Sequence, residues 1–287
     1  MVEQVKWLEK IDGDLWFVEG EGDNLLVKYK VREVLFAEQS PFQHVMVLDT
    51  YDFGPTLVLD GAIQTTARDG HVYNEMISHV PLLTHPEPRK VLIIGGGDCG
   101  AAREVCKYSE VEQVDMVEID ELVVKVSKKY LPEVSGNLSD ERVNFIFADG
   151  LKFVKERQNY YDIIIVDSSD PVGPAVELFS SQFYNDVYQA LKPDGLMVCQ
   201  SHSPLFNQEA HRQTYQRLNK LFPIVRVYIA FVPTYPGGQW SFTLGSKKYE
   251  PNNLGQKWNK EAKYVNADIL EGCFKLPEEV RQILSLS

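Results

Sequence analysis

At 287 residues, with 44% hydrophobic and 24% charged residues, the chain has the composition of a soluble globular protein, long enough for one large domain or a domain with an appendage. Lys plus Arg number 29 against 41 Asp plus Glu, a net charge of −12 that argues against a nucleic-acid backbone as partner and favours encounter with cations. No apolar run approaches the ~20 residues of a membrane span, the N-terminus lacks the apolar core of a signal peptide, and Cys99, Cys106, Cys199 and Cys273 form no Cys-x-x-Cys pair, so a cytoplasmic protein with reduced thiols and no membrane partner is expected.

In chain order, residues 1–66 are expected to form a small antiparallel β domain. Short strands are expected at Trp16–Glu19, Leu25–Tyr29, Val31–Glu38, Gln43–Leu48 and Thr56–Leu59, with turns at Phe53-Gly54-Pro55 and Asp60-Gly61. Tyr73–Leu83 has helical spacing, and its stripe of Met76, Ile77, Val80 and Leu83 reads as core. After the break at His85-Pro-Glu-Pro-Arg89, strands and helices alternate. Strands are expected at Val91–Ile94, Gln113–Ile119, Val143–Phe147, Asp162–Val166 and Gly195–Gln200. Helices are expected at Ala101–Tyr108, Glu121–Tyr130, Leu151–Arg157, Ser180–Leu191 and Glu209–Phe222. Ile224–Phe231 and Trp240–Leu244 read as a final antiparallel pair around the Pro233–Gly238 bend. Such alternation predicts an α/β unit over residues 67–287, a Rossmann-like, mostly parallel sheet with helices on both faces. Ligands on such sheets lie beyond the carboxyl ends of the strands. Residues 246–287 are polar, with a short helix near Pro277–Leu284, and are expected to be a surface extension.

The chain is organised around Val91–Gly100, Val-Leu-Ile-Ile-Gly-Gly-Gly-Asp-Cys-Gly, a buried strand turned by glycines into a helix. Gly95, Gly97 and Gly100 match G-x-G-x-x-G, which fits dinucleotide and adenosyl-sulfonium sites alike. Asp98 favours the second, because a carboxylate repels a pyrophosphate and welcomes an ammonium or sulfonium; its alternative role is a helix cap. Four consecutive strand ends carry acids: Asp98, Glu118, Asp149 and Asp167. Glu118, 20 residues beyond Asp98, stands where an acid accepts both ribose hydroxyls. Asp149 lies one strand further out, toward an adenine amino group, and Asp149-Gly150 also reads as a cap. Asp-Ser-Ser-Asp-Pro-Val-Gly-Pro (167–174) reads as a loop that folds over a ligand, with turn chemistry as the plainer reading. Neither a Walker lysine nor Cys/His metal spacing is present, so no metal and no resident cofactor are expected.

From about Trp16 to Tyr249 the chain resembles the spermidine synthases of the polyamine aminopropyltransferase family. The resemblance rests on Val-Leu-Asp-Gly (58–61), Tyr-Asn-Glu-Met (73–76), Gly-Gly-Gly-Asp (95–98), Val-Glu-Ile-Asp (117–120), Ala-Asp-Gly (148–150), the 167–174 run and Pro-Thr-Tyr-Pro-Gly-Gly-Gln-Trp (233–240). It implies a small N-terminal β domain on a methyltransferase-like sheet, as a homodimer or homotetramer. It also implies aminopropyl transfer from the co-substrate decarboxylated S-adenosylmethionine to putrescine, giving spermidine and methylthioadenosine. Gln43, Asn74, Asp98, Glu118, Asp149 and Gly150 would hold the donor, with Pro174 walling the adenine. Tyr73, Asp167, Asp170, Gln200 and Tyr235 would hold the diamine, with Trp16 along its methylenes and Asp167 as base. The chain departs from the family at Asn74 (usually His or Gln), at Ala67, Gly70 and His71 (usually Glu, Glu and Phe), at Cys99 (usually Gly) and at Ser201-His202-Ser203.

The chemistry needs positioning and a deprotonated amine; the leaving group is a neutral thioether. An alkylamine has a pKa near ~10, and a carboxylate at its reference value is a poor base for it, so the sulfonium must lower the near amine while acids keep the far amine charged. Competing readings are the same transfer to agmatine, cadaverine or a longer polyamine, a putrescine N-methyltransferase, and a polyamine-binding protein without turnover. A dehydrogenase is disfavoured by Asp98.

Overall fold

The computed structural model describes residues 6–21, 24–168 and 177–286. Before the first helix the chain makes six strands: β1 (Leu8–Ile11), β2 (Asp14–Glu21), β3 (Leu25–Gln39), β4 (His44–Thr50), β5 (Gly54–Leu59) and β6 (Ala62–Thr66). Each is antiparallel to the next, in sheet order β1-β2-β3-β4-β5-β6. The two strands expected at 25–29 and 31–38 are one: Lys30 does not turn the chain but pairs with Trp16. β1 and β6 are additional, both too short to show a clear alternation. Along β4, Val45 and Val47 face one side and Met46 and Leu48 the other, as the period of two requires. Met46 and Leu48 pack with Phe17, Val31, Val58 and Ile63.

Helix α1 (Gly70–Thr84) is buried along its whole length except at His71. It is a central helix rather than one with a single core-facing stripe. The second sheet is threaded through β7 (Lys90–Gly95), α2 (Gly100–Val105), β8 (Gln113–Glu118), α3 (Glu121–Tyr130), α4 (Pro132–Ser135) and β9 (Val143–Phe147). It continues through α5 (Gly150–Lys155), β10 (Tyr161–Asp167), α6 (Ser181–Ala190), β11 (Leu191–Gln200), α7 (Gln208–Asn219), β12 (Ile224–Phe231) and β13 (Gln239–Ser246). The strand order is β12-β13-β11-β10-β7-β8-β9; β7 through β11 are mutually parallel and β13 is antiparallel to both its neighbours. Alternate residues of the apolar strands serve the two faces. Val91, Ile93, Ile163 and Ile165 pack with α1 and α2, and Leu92, Ile94, Ile164 and Val166 pack with Val154, Phe183, Tyr184, Val187 and Leu218 of α5, α6 and α7. Each such side chain contributes roughly 1.5–3 kcal/mol by leaving water. Val45, Val47 and Leu57 of the first sheet dock on Val123 and Val126 of α3 and on Leu131 and Val134 at α4.

The strand order reverses between β7, which continues to β8, and β10, which continues to β11. The crevice of an open α/β sheet opens at that point. Gly95 and Asp167 are register partners there.

Residues after β13 correct the expected surface extension. They form α8 (Leu254–Lys257), α9 (Ala267–Gly272) and α10 (Glu278–Ile283). Leu254, Val265, Leu270 and Cys273 belong to the core around α1, while Val280 and Leu284 close over Val227. The buried carboxylate of Glu75 on α1 accepts the backbone N–H groups of Lys263, Tyr264 and Val265 at 2.8, 2.8 and 2.9 Å. These anchors are too irregularly spaced to show a period, and the group that binds them lies far away in the chain. Among the described residues no helix is long and apolar enough to cross a membrane.

Candidate active site

The glycine loop lies directly on the end of β10. Gly95 has φ +84°, and a Cβ there would stand 2.1 Å from the Asp167 carbonyl oxygen. The same oxygen accepts the Gly96 N–H at 2.8 Å. Only a residue without a side chain fits this approach. Cys99 departs from glycine at φ +66°, a left-handed position that any side chain strains. Its thiol is fully buried, and burial pushes its pKa up to about 12.

Asp98 closes the turn at the start of α2. One oxygen accepts the Gly100 N–H at 2.7 Å and the other accepts Asn74 Nδ2 at 3.1 Å. Asn74 also donates to the Gly70 carbonyl at 3.0 Å, and its own Oδ1 is buried without a hydrogen-bond partner. That orphaned acceptor, beside a carboxylate, is a place for a cationic N–H.

Glu118 ends β8 and accepts the Asp120 N–H at 2.9 Å. A methyl on Gly97 would lie 3.0 Å from Glu118 Oε2, and one on Gly96 would lie 3.0 Å from Asp167 Oδ2, so two acids line the loop. Burial pushes Glu118 up to about 7, helped by the Asp120 charge and opposed by backbone N–H groups. Asp167 is pushed up to about 8 by burial, then by the charges of Asp98 and Glu118, while the hydrogen bond from Tyr73 pulls the other way. Burial raises Asp98 as well, against its bonds from Gly100 and Asn74. Desolvation thus favours the neutral form of all three acids around the loop, and a bound cation would favour the charged form.

Tyr73, on α1, donates its hydroxyl to Asp167 Oδ1 at 2.8 Å. Its ring lies 5.9 Å from Tyr235 and 5.3 Å from Phe242. Tyr235 in turn packs on Trp240 and donates to the Gln64 carbonyl at 2.7 Å. Gln200, 2% exposed, donates to the Ser168 carbonyl at 3.3 Å and accepts the His202 N–H at 3.0 Å, so it braces the residue after Asp167. Gln43 reaches the site through an intermediary: its amide donates to Asp120 at 3.0 Å, and Asp120 caps α3 through the Leu122 N–H. Asp149 caps α5 through the Leu151 N–H at 2.9 Å, with Gly150 as the first helical residue pressed on Ile94. Trp16 is half-buried on β2, on the strand face opposite Phe17, with no contact to the Tyr73–Asp167 pair among those described. Asp170 and Pro174 lie outside the described residues.

The structure therefore gathers Tyr73, Asn74, Asp98, Glu118 and Asp167 around one loop, with Tyr235 and Gln200 beside them. His71 has Glu75, Lys263, Asp69 and Arg103 as charged neighbours. Sequence reasoning missed the roles of Asp120 and Ser40. Ser40 donates to Asp120 at 2.7 Å, and the only trace of this was Asp120 as the last letter of a motif. Among the described residues no group of three or more His, Cys, Asp or Glu is arranged to hold a metal ion.

A methyltransferase-like sheet with an acidic crevice at its switch point and an antiparallel sheet docked beside it defines the class. Residues 70–255 match the family model described as the spermine/spermidine synthase domain, and residues 15–67 the one described as the spermidine synthase tetramerisation domain. The polyamine aminopropyltransferase of Desulforudis audaxviator (strain MP104C) is 49% identical over 265 residues, 92% of this chain and 96% of that protein. Its namesake from Thermoanaerobacter sp. (strain X514) is 48% identical over 272 residues, 94% of this chain and 98% of that one. A crystal structure of a spermidine synthase in complex with the transition-state analogue AdoDATO superposes with a TM-score of 0.92 at 38% identity, covering 100% of this chain and 99% of that one. The spermidine synthase from Thermotoga maritima gives 0.88 at 37% identity, over 95% of each chain. The chain belongs to the spermine/spermidine synthase family, as its motifs led one to expect.

Proposed function

We propose that this chain transfers the aminopropyl group of decarboxylated S-adenosylmethionine to putrescine, forming spermidine and methylthioadenosine. Aminopropyl transfer is the activity of its family; putrescine as acceptor and the residue roles are our own reading. The observation that carries it is the hydrogen bond from Tyr73 to Asp167 beside the glycine loop, where burial raises the acid to about 8. Alone, a carboxylate near ~4 is a poor base for an amine near ~10. The crevice closes much of that gap from the acid's side, and a sulfonium closes more from the amine's side.

On this reading the glycine loop and the acids beyond it take the donor. Glu118 accepts the ribose hydroxyls, Asp149 and Gly150 face the adenine with Pro174, and Gln43 closes the side through Asp120. Asp98 and the unpaired Oδ1 of Asn74 take the ammonium of the aminopropyl arm. Tyr73, Tyr235, Gln200 and Asp170 take the diamine, with Trp16 along its methylenes. Asp167 receives the proton of the attacking amine while the carbon–nitrogen bond forms and the carbon–sulfur bond breaks. A resident cofactor or metal has no part in this scheme.

The chain divides at residues 66 and 67 into a β domain and a catalytic unit. The match of residues 15–67 to a tetramerisation domain supports an oligomer, a homodimer or homotetramer. We place the protein in the cytoplasm, without nucleic-acid or membrane partners. Labelled decarboxylated donor offered with putrescine, cadaverine, agmatine and spermidine tests the reading. Putrescine should give the highest kcat/KM; a tenfold preference for another amine (about 1.4 kcal/mol) would displace it, and methyl transfer from intact S-adenosylmethionine would replace the chemistry.

A further inference from the structure

Asp69 stands at the N-terminus of α1, where an aspartate side chain ordinarily caps its own helix, yet it makes no capping hydrogen bond. Its carboxylate is turned across the fold. One oxygen accepts both the backbone N–H and the hydroxyl of Thr234, at 2.9 and 2.8 Å, and the other accepts the Thr66 hydroxyl at 2.6 Å. Asp69 is 4% exposed and Thr234 2% exposed. The Thr234 carbonyl accepts the hydroxyl of Tyr29 at 3.2 Å, so strand β3 holds the same residue from its other side.

Thr234 precedes Tyr235 in the loop between β12 and β13. That loop closes on itself through Tyr235 N–H to Val232 at 3.1 Å and Gly238 N–H to Tyr235 at 2.8 Å. Gly237 and Gly238 sit at φ +72° and +71°, so side-chain sterics do little to hold its backbone. Its orientation comes from the ties of Thr234 and Tyr235 to the rest of the fold. A buried carboxylate accepting two donors from one residue is the strongest of these ties. The acids of the glycine loop have ties that do not pass through Thr234: Asp98 is held by Gly100 and Asn74, Glu118 by Asp120, and Asp167 by Tyr73 and, at its carbonyl, by Gly96.

We propose that Asp69 is a positioning residue for the amine acceptor. It fixes the Tyr235 loop against α1, so that Tyr235 and Tyr73 face the same amine while the donor side is left untouched. This rests on the assignment of Tyr73 and Tyr235 to the acceptor.

The test compares wild type with Asp69→Asn, Thr234→Val and Thr234→Ser. Asp69→Asn and Thr234→Val should raise the KM for the amine about tenfold, leave kcat at saturating amine within about threefold, and leave methylthioadenosine affinity unchanged. Thr234→Ser keeps the hydroxyl and should restore the wild-type KM. Amide exchange should quicken in residues 232–238 and stay unchanged in residues 95–105. An unchanged KM, or a loss of kcat and methylthioadenosine affinity with faster exchange throughout, overturns the proposal. Should Asp69→Asn fail to fold, the two Thr234 variants make the comparison by themselves. A wild type inactive on every amine would sink the functional reading instead, and the exchange comparison, which needs no substrate, would still decide whether Asp69 holds the loop.

Discussion

The hydroxyl of Tyr73 donates to Oδ1 of Asp167 at 2.8 Å, across 94 positions of sequence. One residue rides on the buried helix α1 and the other ends the strand beside the glycine loop. The bond points one Asp167 oxygen and leaves the other against the loop backbone at Gly96. An acid raised to about 8 is thereby aimed at the crevice.

Asp167→Asn is expected to lower kcat by about 10²–10⁴-fold, the usual cost of losing a general base, with methylthioadenosine affinity nearly intact. A variant keeping a tenth of wild-type kcat would remove Asp167 from that role. Tyr73→Phe should shift the acid limb of the kcat/KM profile to higher pH, because the lost hydrogen bond is the one that lowers Asp167.

The contribution of Glu118 and Asp167 to the stability of the ligand-free protein should fall as pH rises. Glu118 and Asp167 keep their protons to about 7 and about 8, whereas in the unfolded chain they lose them near ~4. The folded state therefore binds more protons between these values. The stabilisation is full below ~4, declines as pH climbs through 7 and 8, and levels off above. Asp167→Asn should flatten this slope and be the more stable protein at high pH by about 1.4 kcal/mol or more, the free energy of a tenfold change in proton affinity. Urea unfolding at acid, neutral and alkaline pH reads it directly. A variant less stable than wild type in alkali contradicts the assignment.

Asp98→Asn should narrow the affinity gap between decarboxylated and intact S-adenosylmethionine. The intact donor carries a carboxylate on the arm that faces Asp98. Like charges ~4 Å apart at an effective dielectric of ~20 repel by about 4 kcal/mol, and even half of that discriminates more than tenfold. Competitive binding of both donors to wild type and variant measures the ratio. An unchanged ratio would leave Asp98 only its turn-closing bond to Gly100.

Glu75→Gln should destabilise the protein without changing donor affinity. Three backbone N–H groups of residues 263–265 converge on its buried carboxylate. Weakening such charged hydrogen bonds costs roughly 1.5–3 kcal/mol, a fall of several degrees in Tm. Hydrogen exchange should quicken first in residues 254–273, and equal protection there would show that the segment folds independently of α1.

Sequence alone determined the strand-turn-helix at Val91–Gly100, the parallel sheet behind it and the row of acids at its strand ends. Those features are local: four apolar residues make a doubly buried strand, glycine relieves the turn, and the alternation of strands with helices makes the sheet parallel. The Tyr-Asn-Glu-Met motif shows where that reading stops. On one helix its neighbours point apart, Tyr73 to Asp167, Asn74 to Asp98 and Glu75 to residues 263–265. Nothing in four letters says which is chemistry and which is anchorage. Only the tertiary structure decided that the C-terminal segment is core, that Asp69 forgoes its own helix for Thr234, and that Asp167 holds its proton to about 8. Each depends on desolvation and on charges summed over groups distant in the chain, quantities that exist only once the chain has folded.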